Sequence, residues 1–67
     1  MWKIKSDGTL AVDDKNDSTV RIAFCSDKIY RVKKNYKTIG TFTTMADAKN
    51  FLADTVKKWN GDNYEQV

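Results

Sequence analysis

The stretch Thr38-Ile39-Gly40-Thr41-Phe42-Thr43-Thr44-Met45-Ala46-Asp47-Ala48 holds the change of periodicity that decides the fold. Up to Phe42 it reads as a strand, with β-branched and aromatic residues in a row. From Thr44 onward it reads as a helix. The Thr44 hydroxyl can accept from an amide of the first turn that has no partner inside the helix. Asp47 then puts a carboxylate where both a capping partner and the positive end of the helix dipole favour it. Gly40, inside the strand, predicts a bulge or a close approach by the helix.

Downstream, Ala48, Phe51 or Leu52, Thr55 or Val56, and Trp59 recur at helical spacing and make one apolar stripe. Lys57 and Lys58 fall in the last turn, where the dipole favours positive charge. Gly61 after Asn60 is a stop signal. A helix of about 16 residues is about 24 Å long, enough to cover about three strands. Residues 1–61 are expected to form the single domain, with 62–67 as a tail.

Upstream, every segment reads as a strand or a turn. Trp2-Lys3-Ile4-Lys5 alternates apolar with basic, Asp7-Gly8 signals a turn, and Leu10-Ala11-Val12 returns. The sequence leaves open whether this hairpin joins the main sheet. In Thr19 to Cys25, Val20, Ile22 and Phe24 share one face, opposite Arg21, Ala23 and Cys25. Ser26-Asp27 marks a turn. Lys28 to Lys33 follows, with Tyr30 and Val32 on one face and Ile29, Arg31 and Lys33 on the other. Lys34 to Lys37 is a second turn, in which Asn35 suits a positive φ better than Tyr36 does. The expected class is α+β: an antiparallel sheet of three to five strands with one C-terminal helix packed on one face. Trp2 and Trp59 are expected in the core, and the other sheet face is left open.

Composition narrows function by exclusion. The chain has 67 residues, no histidine, no proline and one cysteine. Without histidine, serine or cysteine nucleophiles have no imidazole base, and histidine-containing zinc sites are impossible. Cys25 alone cannot close an intrachain disulfide, which excludes a disulfide-stapled secreted mini-protein. Asp14-x-Asn16-x-Ser18 hints at a calcium loop, but Thr19 stands where the turn glycine belongs and Cys25 where a bidentate glutamate belongs. The glycines are scattered, so no phosphate-binding loop is present. No segment reads as a membrane span or a signal peptide. A non-enzymatic cytoplasmic protein with no cofactor and no metal is expected.

Charge supplies the functional hint. The 12 basic and 9 acidic residues give a net charge of +3. They are segregated: Lys28 to Lys37 holds five cations and no acid, whereas Asp13 to Asp17 holds three acids. If Tyr30 and Val32 face the helix, Arg31 and Lys33 face away from it, with Arg21 beside them. Lys3 and Lys5 join them if Trp2 and Ile4 face the core. Lys34 and Lys37 flank the hairpin tip, where Tyr36 is an exposed aromatic. The expected nucleic-acid-binding residues are Arg21, Arg31, Lys33, Lys34, Lys37 and Tyr36, with duplex DNA as the partner.

Ile39-Gly40-Thr41-Phe42-Thr43-Thr44-Met45-Ala46-Asp47-Ala48, after a basic strand and turn, resembles the end of the arm-type DNA-binding domains of phage and transposon tyrosine recombinases. It is similar also to the related plant ethylene-response-factor domains. The resemblance covers about Thr19 to Trp59. It implies a three-stranded sheet, a Gly-x-Phe-x-Thr element leading into a helix, and readout of the major groove by strand residues. It would make Arg21, Arg31, Lys33 and Lys37 the contacts, in a small phage or mobile-element accessory protein. Lysine stands at most positions where the plant domains carry arginine, and Trp2 to Val12 has no counterpart. The alternative is a protein-binding inhibitor or modulator of phage type. It would take a host protein, or a second copy in a homodimer, at a sheet edge or face.

Overall fold

The computed structural model describes residues 1–5 and 7–61; Ser6 and the expected tail lie outside the described residues. Among the described residues, five strands form one antiparallel sheet whose spatial order is the sequence order. They are β1 (Trp2–Lys5), β2 (Leu10–Asp13), β3 (Ser18–Phe24), β4 (Tyr30–Lys34) and β5 (Lys37–Phe42). One helix, α1 (Met45–Trp59), follows and packs on one face. The fold is α+β, and the β1–β2 hairpin joins the main sheet through Leu10 opposite Arg21 and Ala11 opposite Val20.

The helix starts and stops where the sequence signals it. The Asp47 amide donates to Thr44 Oγ1 at 3.2 Å. Asn60 caps the other end, and Gly61 follows with φ +75°. Ala48, Leu52 and Val56 are buried against Ala11, Val20 and Val32 of the sheet. Full burial of a valine or leucine side chain stabilises by about 1.5–3 kcal/mol, so this small cluster holds the two layers together. Ile22, Phe42 and Phe51 pack around it, half-buried.

Both readings of Gly40 hold. The β4–β5 register shifts between Val32 and Lys33, beside the Val32–Gly40 pair. A Cβ on Gly40 would lie 3.0 Å from ring carbons of both Phe42 and Phe51. The two rings are 5.1 Å apart and rest over the bare backbone.

Three expectations need correction. Phe24 keeps the helix-facing side of β3 yet is 61% exposed, because the last residue of that strand extends past the buried stripe of α1. It stacks on Tyr30, with centroids 4.7 Å apart, instead of entering the core. Of the two tryptophans, Trp2 is half-buried and packs against the core cluster, whereas Trp59 does not belong to it. Trp59 is 37% exposed and lies 4.9 Å from half-buried Trp2, so the pair closes the edge of the helix–sheet interface. The hairpin after β3 also takes one residue more than expected. Ser26 and Asp27 sit at the centre of a turn closed by the Lys28 amide on the Cys25 carbonyl at 2.9 Å. Lys28 then adopts φ +65°, and β4 begins at Tyr30. A turn followed by one left-handed residue is a common three-residue hairpin.

Asn60 ties the end of α1 to the edge strand β1. Its Oδ1 accepts from the Trp2 amide at 3.0 Å, and its Nδ2 donates to the Trp2 carbonyl at 3.3 Å. These bonds occupy backbone groups that an edge strand would otherwise leave open for pairing.

Candidate nucleic-acid interface

Strand parity sorts the charges. Residues paired across strands share a face. Ala11, Val20 and Val32 face the helix, so Leu10, Arg21 and Lys33, one step along, face away from it. The same parity puts Lys3, Lys5 and Arg31 on the open face. The strands carry a single carboxylate, Asp13, which is paired with Trp2 on the helix side. No strand position on the open face is acidic.

Asp13 is 4% exposed and fully engaged. It accepts from Asn16 Nδ2 at 2.7 Å, the Lys15 amide at 3.3 Å and the N-terminal ammonium at 3.2 Å. The Asn16 hydrogen bond, helped by the ammonium, holds its carboxyl below the usual carboxylate range against the opposing effect of burial. Asp14 and Asp17 remain exposed in the β2–β3 loop. They bound the basic face at the end where the β4–β5 hairpin turns.

Across the open face, Lys5, Leu10, Arg21, Lys33 and Thr38 lie in register, one per strand. Arg21 and Lys33 are directly opposite each other. Cβ atoms in such a pair are about 4.5–5.5 Å apart, and like charges there destabilise the sheet. Neither forms a salt bridge among the described residues. The arrangement opposes folding, and an anion placed between the two would relieve the repulsion.

Beside this pair the β4–β5 hairpin turns on Asn35 and Tyr36, with φ +50° and +77°. Two successive positive φ values mark the mirror-image turn whose twist suits a two-residue hairpin, and glycine is the usual second residue. Asn35 is anchored: its amide donates to the Thr19 carbonyl and its Oδ1 accepts from the Thr19 amide, both at 3.0 Å. Its Nδ2 reaches Ser18 Oγ at 3.3 Å. Tyr36 has no such return. It is 90% exposed, and a left-handed conformation costs a residue with a Cβ about 1–2 kcal/mol. Its side chain borders a shallow depression of about 150 Å³ lined also by Leu10, Thr19, Arg21, Lys33 and Asn35.

Of the residues expected to bind nucleic acid, Arg21, Lys33 and Tyr36 therefore meet at one site. Arg31 shares their face, but Asp27 holds its guanidinium through two bonds of 3.1 and 2.8 Å. Arg31 in turn keeps the Asp27 carboxyl below its usual range, and its own proton is held more tightly. Lys34 is at the tip as expected but on the helix side, in register with Val20, its Nζ 5.8 Å from the Trp59 ring centroid. Lys37 is paired with Lys34 and is exposed on that side. Leu10, Thr19 and Asn35 complete the depression and were missed. Asn35 had a sequence signal, its tolerance of positive φ; Leu10 and Thr19 had only parity.

A larger groove of about 490 Å³ runs between β1 and α1, lined by Trp2, Ile4, Val56 and Asn60 among others. Both Asp54 and Lys57 line it, so it has no field of one sign. No helix among the described residues is long and apolar enough to cross a membrane. Comparison of the chain with protein families, curated proteins and solved structures finds no match.

Proposed function

We propose that this protein is a small non-enzymatic module that binds DNA through the open face of its sheet. The observation that carries the reading is the Arg21–Lys33 pair: two cations directly opposite, without an acid on any open-face strand position. Phosphates would relieve that repulsion. Lys3 and Lys5 extend the same field along β1, and Arg31 joins where a phosphate displaces Asp27. The resemblance to arm-type and ethylene-response-factor domains points to DNA as well, although Lys37 lies on the helix side and is not among these contacts. An accessory protein of a phage or mobile element, working in the cytoplasm, fits this reading.

Each neutralised phosphate steepens the dependence of affinity on salt, by about 0.9 in the log–log slope for duplex and about 0.7 for single strands. With Lys3, Lys5, Arg21 and Lys33 engaged, a slope of about −3 to −4 is expected. Fluorescence anisotropy of labelled DNA between about 20 and 200 mM salt measures it. No binding at the lowest salt overturns the proposal.

A second reading has one observation of its own. β5 pairs on one side only and contains no proline, whereas Asn60 occupies the outer edge of β1 at Trp2. A host protein strand, or β5 of a second copy, would add there. Sedimentation at rising concentration tests the homodimer.

A further inference from the structure

We infer that the open face takes a single, unpaired strand of nucleic acid, with a base stacked on Tyr36 and the flanking phosphates on Arg21 and Lys33. The inference rests on the DNA-binding reading above and specifies the form of its ligand. Two observations carry it.

The first is width. Five strands in one sheet span about 19 Å between the outer axes, at about 4.8 Å per gap. The major groove is about 12 Å wide and admits a helix or a two-stranded ribbon. The sheet cannot lie flat in it, and a duplex could touch this face only along its phosphate ridges. A separated strand has no such limit. Sheet faces that bind unpaired strands combine basic side chains with exposed rings on which bases stack.

The second is Tyr36. It occupies a left-handed position where glycine would be relaxed, and the residue is 90% exposed. Asn35, its partner in the turn, is repaid by three hydrogen bonds to β3, whereas Tyr36 has no hydrogen bond or ring contact among the described residues. A strained residue whose strain serves no packing points to a use outside the fold. Its ring borders the depression that Leu10 lines and that Arg21 and Lys33 flank. An apolar wall, an aromatic plane and two cations are the parts needed to hold one base and its phosphates.

The test compares an unlabelled full chain with Tyr36→Gly and Tyr36→Phe, titrated into labelled oligo-dT, oligo-U and a duplex, each of about 12 nucleotides per strand. Glycine relaxes the turn, so Tyr36→Gly should melt higher than the parent, and a loss of binding cannot be put down to unfolding. The inference expects a single strand to bind more tightly than the duplex. It expects Tyr36→Gly to weaken that binding by about 5- to 150-fold and to leave the duplex unchanged, while Tyr36→Phe retains it. The dT and U arms show which backbone is preferred, and tighter binding of either supports the inference. Duplex bound at least as tightly as both single strands, or single-strand affinity indifferent to Tyr36→Gly, overturns it and leaves the DNA-binding reading standing. No binding to any of the three at low salt overturns both.

Discussion

Substituting Gly40 by alanine sets two known effects against each other, and the fold decides the sign. Gly40 has no positive φ, so its backbone accepts a side chain. On the chain-entropy term alone, alanine for glycine inside a strand stabilises by about 0.5–1 kcal/mol. The new methyl would, however, sit 3.0 Å from Phe42 Cε2 and from Phe51 Cε2, and 3.2 Å from Phe51 Cζ. Overpacking of this kind costs about 1–3 kcal/mol. The net expectation is a loss of about 1 kcal/mol, or about 4–8 °C in Tm for a chain of this size. Urea unfolding followed by tryptophan fluorescence measures it. Phe51→Leu removes two of the three close ring atoms, so Gly40→Ala should cost less in that background, with a coupling larger than the roughly 0.3–0.5 kcal/mol that separates additive sites. If Gly40→Ala stabilises the parent chain, or costs the same in both backgrounds, the rings do not rest on Gly40 as described.

Two further predictions concern the fold. Asn60→Ala deletes both bonds to the Trp2 backbone and should cost about 1–3 kcal/mol. It should also speed amide exchange in β1 more than in β3, and uniform exchange across the sheet would contradict the tie. Acid should destabilise the protein through Asp13 and Asp27, whose folded carboxyls lie below their ordinary range. A depressed carboxyl contributes stability above its unfolded pKa of about 3.9, and that contribution is lost as pH falls through the lower, folded value. Stability should therefore drop below about pH 4. Asp13→Asn should flatten the drop, since Asp27 pairs with Arg31 at an exposed site where screening is strong. A urea midpoint that rises on acidification would reverse the sign argued here.

Much of the fold was legible because local and tertiary preferences agree. Thr44 and Asp47 announce the helix start, and the Ala48–Leu52–Val56 stripe is the face that becomes buried. The alternation in β3 and β4 gave the correct sides for Val20, Arg21, Val32 and Lys33. Whether the first hairpin joins the sheet was not legible, because the pairing of Leu10 and Ala11 with Arg21 and Val20 is a tertiary contact. The errors lie where one residue's placement depends on something not local. Reading a four-residue turn from Lys34 to Lys37 hid the parity that puts Lys34 with Tyr30 and Val32; the actual turn is only Asn35 and Tyr36, and the strain on Tyr36 made that choice look unfavourable. Phe24 has core parity, but how far the helix stripe extends along β3 is set by packing. The Arg31–Asp27 pair forms because Lys28 adds a left-handed residue to the hairpin and brings the carboxylate to the guanidinium. Charge segregation pointed to the basic face. Which of its cations remain unpaired followed only from the turns.

The proposed nucleic-acid binding depends on where the charges lie, and not on net charge. It is tested most directly by comparing Lys33→Glu with Lys58→Glu, which lower the net charge of +3 by the same amount. Lys33 faces Arg21 on the open sheet, whereas Lys58 is exposed in the last turn of α1. Anisotropy titration at low salt should find binding lost in Lys33→Glu and retained in Lys58→Glu. Thermal melts should find Lys33→Glu no less stable than the parent, since an opposite-charge pair with Arg21 replaces a like-charge one. Equal weakening of binding by both substitutions, or no weakening by Lys33→Glu, would contradict the account.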